Sequence, residues 1–382
     1  MAGSEKAPSL ALPRFAGEGT LVIGDVDEGP DRLPLPRSGG GVGRRHSHAL
    51  SLTRRALLAA AASLAAFPAR AQPASTLFIS HPATLAHDPG PGWPDSPARL
   101  RALFAALDAP RFAGLARLDA PPASRAALLR VHAPEHLARL EASAPRDGQA
   151  QLGADVVMNA GTYEAALRAA GGAVAAVDAV MRKAARNAFV ASRPPGHHAR
   201  AEAPMGFCFL NNAAIAARHA MGAHGAARVA IVDFDVHHGN GVQEIFWNEK
   251  NVLYCSTHQA PHYPGTGAVG ETGAHDNVVN APLRKGDGGE AFRAALTSRI
   301  LPRLDAFAPD LVILCAGFDA HLHDPLGGLR FIEEDFRDVT LRVMEIAARR
   351  CDGRVVSLLE GGYVPEDLAA SAAAHVGALM EG

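Results

Sequence analysis

From Thr76 onward the chain alternates short apolar runs with longer stretches of helical spacing. Thr76 to Ser80, Ala188 to Ser192, Arg228 to Phe234, Val252 to Thr257, Leu311 to Ala316 and Arg354 to Leu359 are dominated by apolar, often β-branched, side chains with no polar alternation. That is the pattern of strands buried on both faces of a parallel sheet. Between them, helical spacing begins at Ala98 and after Pro134, and spans Gly161 to Lys183, Leu210 to Met221, Gly289 to Phe307 and Glu333 to Arg350. Gly161 to Lys183 is long enough for the crossover that parallel neighbours require. Pro/Gly-rich segments, among them His87 to Pro97 and Arg193-Pro194-Pro195-Gly196, mark the loops. Strand and helix alternating in this way predict an α/β fold around a parallel sheet, with no internal repeat.

Composition narrows the picture. A formal net charge of −2 and the lack of any Lys/Arg run give no footprint for nucleic acid. Cys208, Cys255, Cys315 and Cys351 are scattered without metal or redox spacing and read as core residues, not as a disulfide framework. Residues 1–50, rich in Gly, Pro and Arg, are expected to be a disordered leader. Residues 51–74 then combine Arg54-Arg55, an Ala/Leu run ending at Phe67 and an Ala69-Arg70-Ala71 site. These are the parts of a twin-arginine export signal, and the apolar run falls well short of the ~20 residues that span a bilayer. The expectation is a periplasmic protein free of the membrane after signal cleavage, with a cytoplasmic protein as the alternative, and a folded domain over residues 75–382.

The ends of the strands carry the chemistry. After the Arg228 strand come Asp233, Asp235 and His237, then Gly239-Asn240-Gly241, which must turn sharply. Desolvating an unpaired carboxylate costs several kcal/mol, so a cation is expected at this sheet edge, where open α/β sheets place their ligands. Asp235 and His237 offer oxygen and imidazole nitrogen, a set suited to zinc or a similar divalent ion. The competing reading is a capped loop of hydrogen-bonded Asp and His. Four other strand ends add to the same edge: His197-His198, then Ser256 and His258, then Asp319 and Asp324, then Glu360-Gly361-Gly362-Tyr363. Together they match a site of two Asp and one His with open positions, a His pair for proton transfer and a Tyr hydroxyl for an oxyanion. That set suits metal-assisted amide hydrolysis.

The motifs RPPGHHA (Arg193 to Ala199), GFCFLNNAAIAA (Gly206 to Ala217), DFDVHHGNG (Asp233 to Gly241), YPGTG (Tyr263 to Gly267), GFDAHLHDPLGG (Gly317 to Gly328) and EGGY (Glu360 to Tyr363) resemble the zinc-dependent histone deacetylase family. The resemblance covers Thr76 to the C-terminus and implies the three-layer, arginase-like α/β fold with one Zn(II) per chain. By position it implies Asp235, His237 and Asp324 as metal ligands, His198 as general base and acid, His197 as its electrostatic neighbour and Tyr363 as oxyanion donor. It implies Gly206, Phe207 and Tyr263 along an acyl-lysine tunnel, and Asp233 with Ser256 beside a structural potassium ion. Asn240 stands where class I members carry Asp, the class II-like choice. Leu326 stands where polyamine-selective members carry a glutamate, which favours acyl-lysine, a peptide or another small acyl-amide as substrate. His262 departs from the usual aromatic before Tyr263. An acetylpolyamine amidohydrolase and an inactive deacetylase-like binding protein are the alternatives. Oligomeric state stays open.

Overall fold

The computed structural model describes residues 75–382; the expected leader and signal segment lie outside the described residues. Eight strands form one sheet: β1 Leu77–Ser80, β2 Ala116–Asp119, β5 Asn187–Val190, β6 Val229–Asp233, β7 Val252–Gln259, β8 Val278–Leu283, β9 Leu311–Ala316 and β10 Val355–Leu359. A separate antiparallel hairpin pairs β3 Gln149–Gly153 with β4 Val156–Asn159. The sheet order is β2-β1-β5-β10-β9-β6-β7-β8, and every pairing within it is parallel. The helices that position the site are α1 Pro97–Leu107, α2 Thr162–Met181, α3 Asn212–His224, α4 Asn240–Phe246, α5 Glu333–Cys351 and α6 Pro365–Glu381.

Successive side chains of a strand point to opposite faces, and here both faces are apolar. Val229 and Ile231 of β6, with Leu311, Ile313 and Cys315 of β9, pack into the core shared with α2 and α3. Ala230 and Val232, with Val312, Leu314 and Ala316, pack into the core shared with α1, α5 and α6. This two-sided burial explains the unbroken apolar runs and makes three layers of helix, sheet and helix. Each fully buried Val, Ile or Leu side chain contributes roughly 1.5–3 kcal/mol, so truncation at Leu314 is expected to cost ~2–5 kcal/mol. All four cysteines are buried and free.

Where the structure adds elements, the local signal is weak. β2 reads Ala-Arg-Leu-Asp and is largely exposed at the sheet edge, and β8 at the other edge contains Asn280 and Pro282. The helical stretch 289–307 is broken: a π-turn at Leu296–Ile300 separates Gly289–Ala295 from Leu301–Phe307, beside Pro302, which has no N–H to donate. No helix of the described residues is long and apolar enough to cross a membrane.

Candidate active site

The five strands whose ends carry polar groups, β5, β10, β9, β6 and β7, are consecutive neighbours in the sheet. Their registers pair Asp233 with both Cys315 and Ser256, and Leu359 with Ala316, so the loops that follow emerge side by side. Topology thus converges residues that lie far apart in the chain.

At the centre, His237 Nδ1 lies 3.0 Å from Asp235 Oδ1 and 3.1 Å from Asp319 Oδ2. One ligand atom from each of Asp235, His237 and Asp319 falls within 4.8 Å of the others, and all three residues are buried. Backbone groups aim the carboxylates: Gly361 N–H donates to Asp235 Oδ2 (2.8 Å) and Val236 N–H to Asp319 Oδ1 (2.9 Å). The one proton that His237 Nδ1 can carry goes to Asp235 Oδ1, so the buried Asp319 Oδ2, 3.1 Å from the same nitrogen, has no hydrogen bond of its own. Burial, reinforced by the charge of Asp235, pushes the Asp319 carboxyl up to about 7. Burial opposes a charge on His237, but Asp235 and Asp319 outweigh it and raise the imidazole to about 10. Asp324, the expected third ligand, accepts from the backbone N–H of Leu326 (2.9 Å) and Tyr363 (2.6 Å), and its charge acts on both Asp235 and Asp319, so it borders the same centre. Asp319 lies three residues past β9 and reaches the centre, whereas Asp324 caps a turn further along the loop.

The two adjacent histidines sit in opposite environments. His197 Nδ1 lies 3.0 Å from Asp233 Oδ2, which also accepts from the Tyr254 hydroxyl. Burial disfavours its charge, but Asp233, Asp235 and Glu360 prevail and raise it to about 10. His198 Nδ1 lies 2.8 Å from Asn240 Oδ1 at the start of α4. An amide oxygen only accepts, so Nδ1 carries the proton and Nε2 is left as a base. Burial, then the neighbouring charges of His197 and His237, hold His198 well below the ordinary histidine range. The Ser256 hydroxyl is engaged by His258 Nδ1 at 2.9 Å. With Asp233 and Ser256 occupied in this way, their side-chain contacts do not support the expected potassium ion.

Above the centre lies a cavity of about 340 Å³. His198 and His237 form its floor with Tyr363 beside them, and Gly206, Phe207, Tyr263 and Leu326 all line it as expected. Gly206 and Phe207 both take positive φ, 56° and 64°. A Cβ at Gly206 would run into the His198 ring, so only glycine fits there.

Two features of the site, Asp155 and Arg99, escaped the sequence reading, and His262, noted there as a departure, takes a defined place. Asp155, at the end of the β3–β4 turn, lines the cavity and accepts from the Tyr263 hydroxyl at 2.7 Å. His262 stacks on His237 (5.0 Å between centroids) and its Nε2 donates to the Leu326 carbonyl. Arg99 of α1 is fully buried; it donates to the carbonyls of Glu360 and Gly362, pairs with Asp95 and lies 4.7 Å over the Tyr363 ring. The four-residue spacing from Asp95, just before α1, to Arg99 in its first turn was the available signal for this pair. It fixes the Gly-Gly-Tyr turn from one side, while Asp324 holds the Tyr363 amide from the other.

The sequence profile of the histone deacetylase domain matches residues 93–379. A histone deacetylase-like amidohydrolase of Pseudomonas aeruginosa is 41% identical over 277 residues, covering 71% of this chain and 73% of that protein. A probable deacetylase of Archaeoglobus fulgidus is 37% identical over 300 residues, 76% of this chain and 82% of its own length. The crystal structure of the HDA15 HD domain superposes with a TM-score of 0.76 at 35% identity, over 80% of this chain and 88% of that one. With the expected arginase-like α/β sheet and its convergent strand ends in place, the chain belongs to the histone deacetylase family.

Proposed function

We propose that the protein is a zinc-dependent amidohydrolase that removes the acyl group from acyl-lysine or a small acylated amine. The observation that carries this reading is the meeting of buried Asp235 and Asp319 with His237, which lines the cavity together with His198 and its free Nε2. Two carboxylates and one imidazole are a donor set for catalytic zinc with open positions. The buried, unpartnered Asp319 Oδ2 is the atom such an ion would satisfy. Zinc bound there would supply a Lewis acid for the amide carbonyl and for water.

The protein's own groups do the rest. His198 Nε2 accepts a proton from the attacking water and returns it to the departing amine nitrogen. Low basicity, set by burial and by the charge on His197, makes that return easy. The Tyr363 hydroxyl donates to the carbonyl oxygen as it gains charge. Phe207 and Tyr263 flank the alkyl arm of the substrate and exclude water from it.

A relative from Mus musculus, 38% identical over 296 residues, is named polyamine deacetylase HDAC10; this chain spans 44% of its length. For the present chain the apolar Leu326 in the cavity wall favours acyl-lysine or another neutral-armed acyl-amide, since it offers no charge to an ammonium. Mass spectrometry of turnover on a panel of acyl-lysine peptides and acetylpolyamines, with zinc content measured in parallel, tests the reading. One zinc per chain and release of acyl groups are expected; full activity without metal overturns it. Binding of an acyl-lysine peptide without any turnover would favour a binding protein instead. Leu326→Glu should shift preference toward acetylpolyamines, and native preference for polyamines would reverse the substrate ranking.

The same proposal places the enzyme in the periplasm, where its substrate would be a peptide or small acylated amine. Residues 1–75 fused to a reporter that requires twin-arginine export should be exported, and Arg54→Lys with Arg55→Lys should abolish this. Equal export of the double variant would overturn the twin-arginine assignment, and retention of both fusions would leave a cytoplasmic enzyme.

A further inference from the structure

A second group of metal-type side chains lies outside the cavity, on the loop that carries Asp319. His321 and His323 of this loop and Asp367, in the first turn of α6, bring one ligand atom each within 4.8 Å of one another. His323 Nδ1 is 3.1 Å and His321 Nδ1 3.6 Å from Asp367 Oδ2. Those separations are close to the ~3.3 Å between ligands that bonds of ~2.0–2.1 Å to a tetrahedral zinc imply.

We infer that His321, His323 and Asp367 form a second divalent-metal site, suited to zinc or a similar borderline ion and separate from the catalytic centre. Three observations support it. First, His321 Nδ1 lies 3.6 Å from Asp367 Oδ2 and only a weak contact, 3.5 Å from the His323 N–H, competes for it, so a cation between His321 and Asp367 would displace little. Second, Glu333 Oε1 lies 3.9 Å from His321 Nε2, so a carboxylate stands near the far nitrogen of the imidazole, as behind many metal-bound histidines. Third, His321 is 3% exposed whereas His323 is 61% exposed, so the site has one buried ligand and an open approach. Two imidazoles and a carboxylate favour zinc, copper or nickel over magnesium and calcium, which prefer all-oxygen sites.

A third Asp/His group among the described residues, Asp178 with His219 and His224, does not qualify. Arg130 donates to His219 Nδ1 and Arg182 lies 3.6 Å from Asp178, so cations already occupy that neighbourhood. Among the described residues no Arg or Lys pairs with His321, His323 or Asp367. A metal there would tie the Asp319 loop to the helix that starts two residues after Tyr363, adding an outer link to the inner one from Asp324 to the Tyr363 amide.

The test is zinc stoichiometry of the full chain, by elemental analysis after equilibrium dialysis against buffered zinc. The native protein should take up two equivalents at saturation. His323→Ala, at an exposed position, should take up one, its outer affinity falling by more than the ~10–100-fold that losing a supporting contact costs. Asp367→Asn should do the same. Asp319→Asn should keep one equivalent, the outer one, and lose it when His323→Ala is added. A native protein that saturates at one equivalent, a His323→Ala variant that still binds two, or an Asp319→Asn equivalent that survives His323→Ala each overturns the assignment. Retention of both equivalents by Asp319→Asn alone would instead count against the catalytic metal site.

Discussion

The two edges of the central sheet hold the same residue types to different ends. At the edge where strands finish, Asp235, His237 and Asp319 meet in the dry interior, two carboxylates on one imidazole, and one carboxylate oxygen lacks a partner. At the edge where strands begin, the last turns of α2 and α3 bring Asp178 against His219 (2.9 Å) and His224 (2.6 Å). There the groups are half-exposed, and Arg130 and Arg182 add positive charge. The first arrangement needs a cation; the second already has its own and forms an ion-pair cluster. An Asp/His set alone therefore does not define a site; burial and the sign of the surrounding charge do.

The largest effect should come from removing a carboxylate at the inner edge. Asp319→Asn should lose catalytic zinc and reduce turnover by far more than the ~10–100-fold cost of an outer contact. Asp324→Asn tests the expected ligand in parallel: its carboxylate accepts from the backbone of Leu326 and Tyr363, and a loss confined to those bonds should stay within that range. Equal losses in both variants, read by elemental analysis and kcat, would undo the choice of Asp319.

Next in size is Tyr363→Phe, expected to lower kcat by ~10²–10³ with little change in KM or zinc content, the cost typical of one oxyanion donor. A kcat within about twofold of native would remove Tyr363 from the chemistry.

The smallest effect belongs to the other edge. Asp178→Asn should leave zinc content and turnover unchanged and cost less than about 1 kcal/mol, as solvent screens half-exposed pairs. Burial opposes its charge, but hydrogen bonds from His219 and His224 prevail and hold the Asp178 carboxyl below its ordinary value. The unfolded chain thus binds the extra proton first. The contribution is intact above the ordinary carboxylate value of ~3.9 and fades as pH falls below it. Urea midpoints of native and variant should differ near neutral pH and converge in acid. A gap that widens on acidification would reverse the sign.

Much of the fold was legible because two-sided burial leaves a local mark. The apolar runs at Val229, Val252, Leu311 and Val355 lie where β6, β7, β9 and β10 form, and the polar residues just beyond them had to gather at one edge of a parallel sheet. His198, Asp235, His237, Phe207 and Tyr363 therefore stood out before any coordinates, and all five lie at or around the cavity floor. Edge strands and the Ala-rich α6 left no such mark, since exposure or weak amphipathic contrast blurs the period.

What the sequence by itself determined was the alternation of strand and helix and the residue types at the strand ends. Only the tertiary structure brings Asp319, five residues before Asp324, to within 3.1 Å of His237. Asp319 and Asp324 lie in one loop with no repeating geometry, so spacing does not tell which one turns inward. It also decided what neutralises each charge. Arg99 reaches carbonyls 261 and 263 residues away, and Arg193 reaches Asp95 across 98. Periodicity is a local property of the chain, whereas the field at a buried carboxylate is summed over whatever distant segments fold around it.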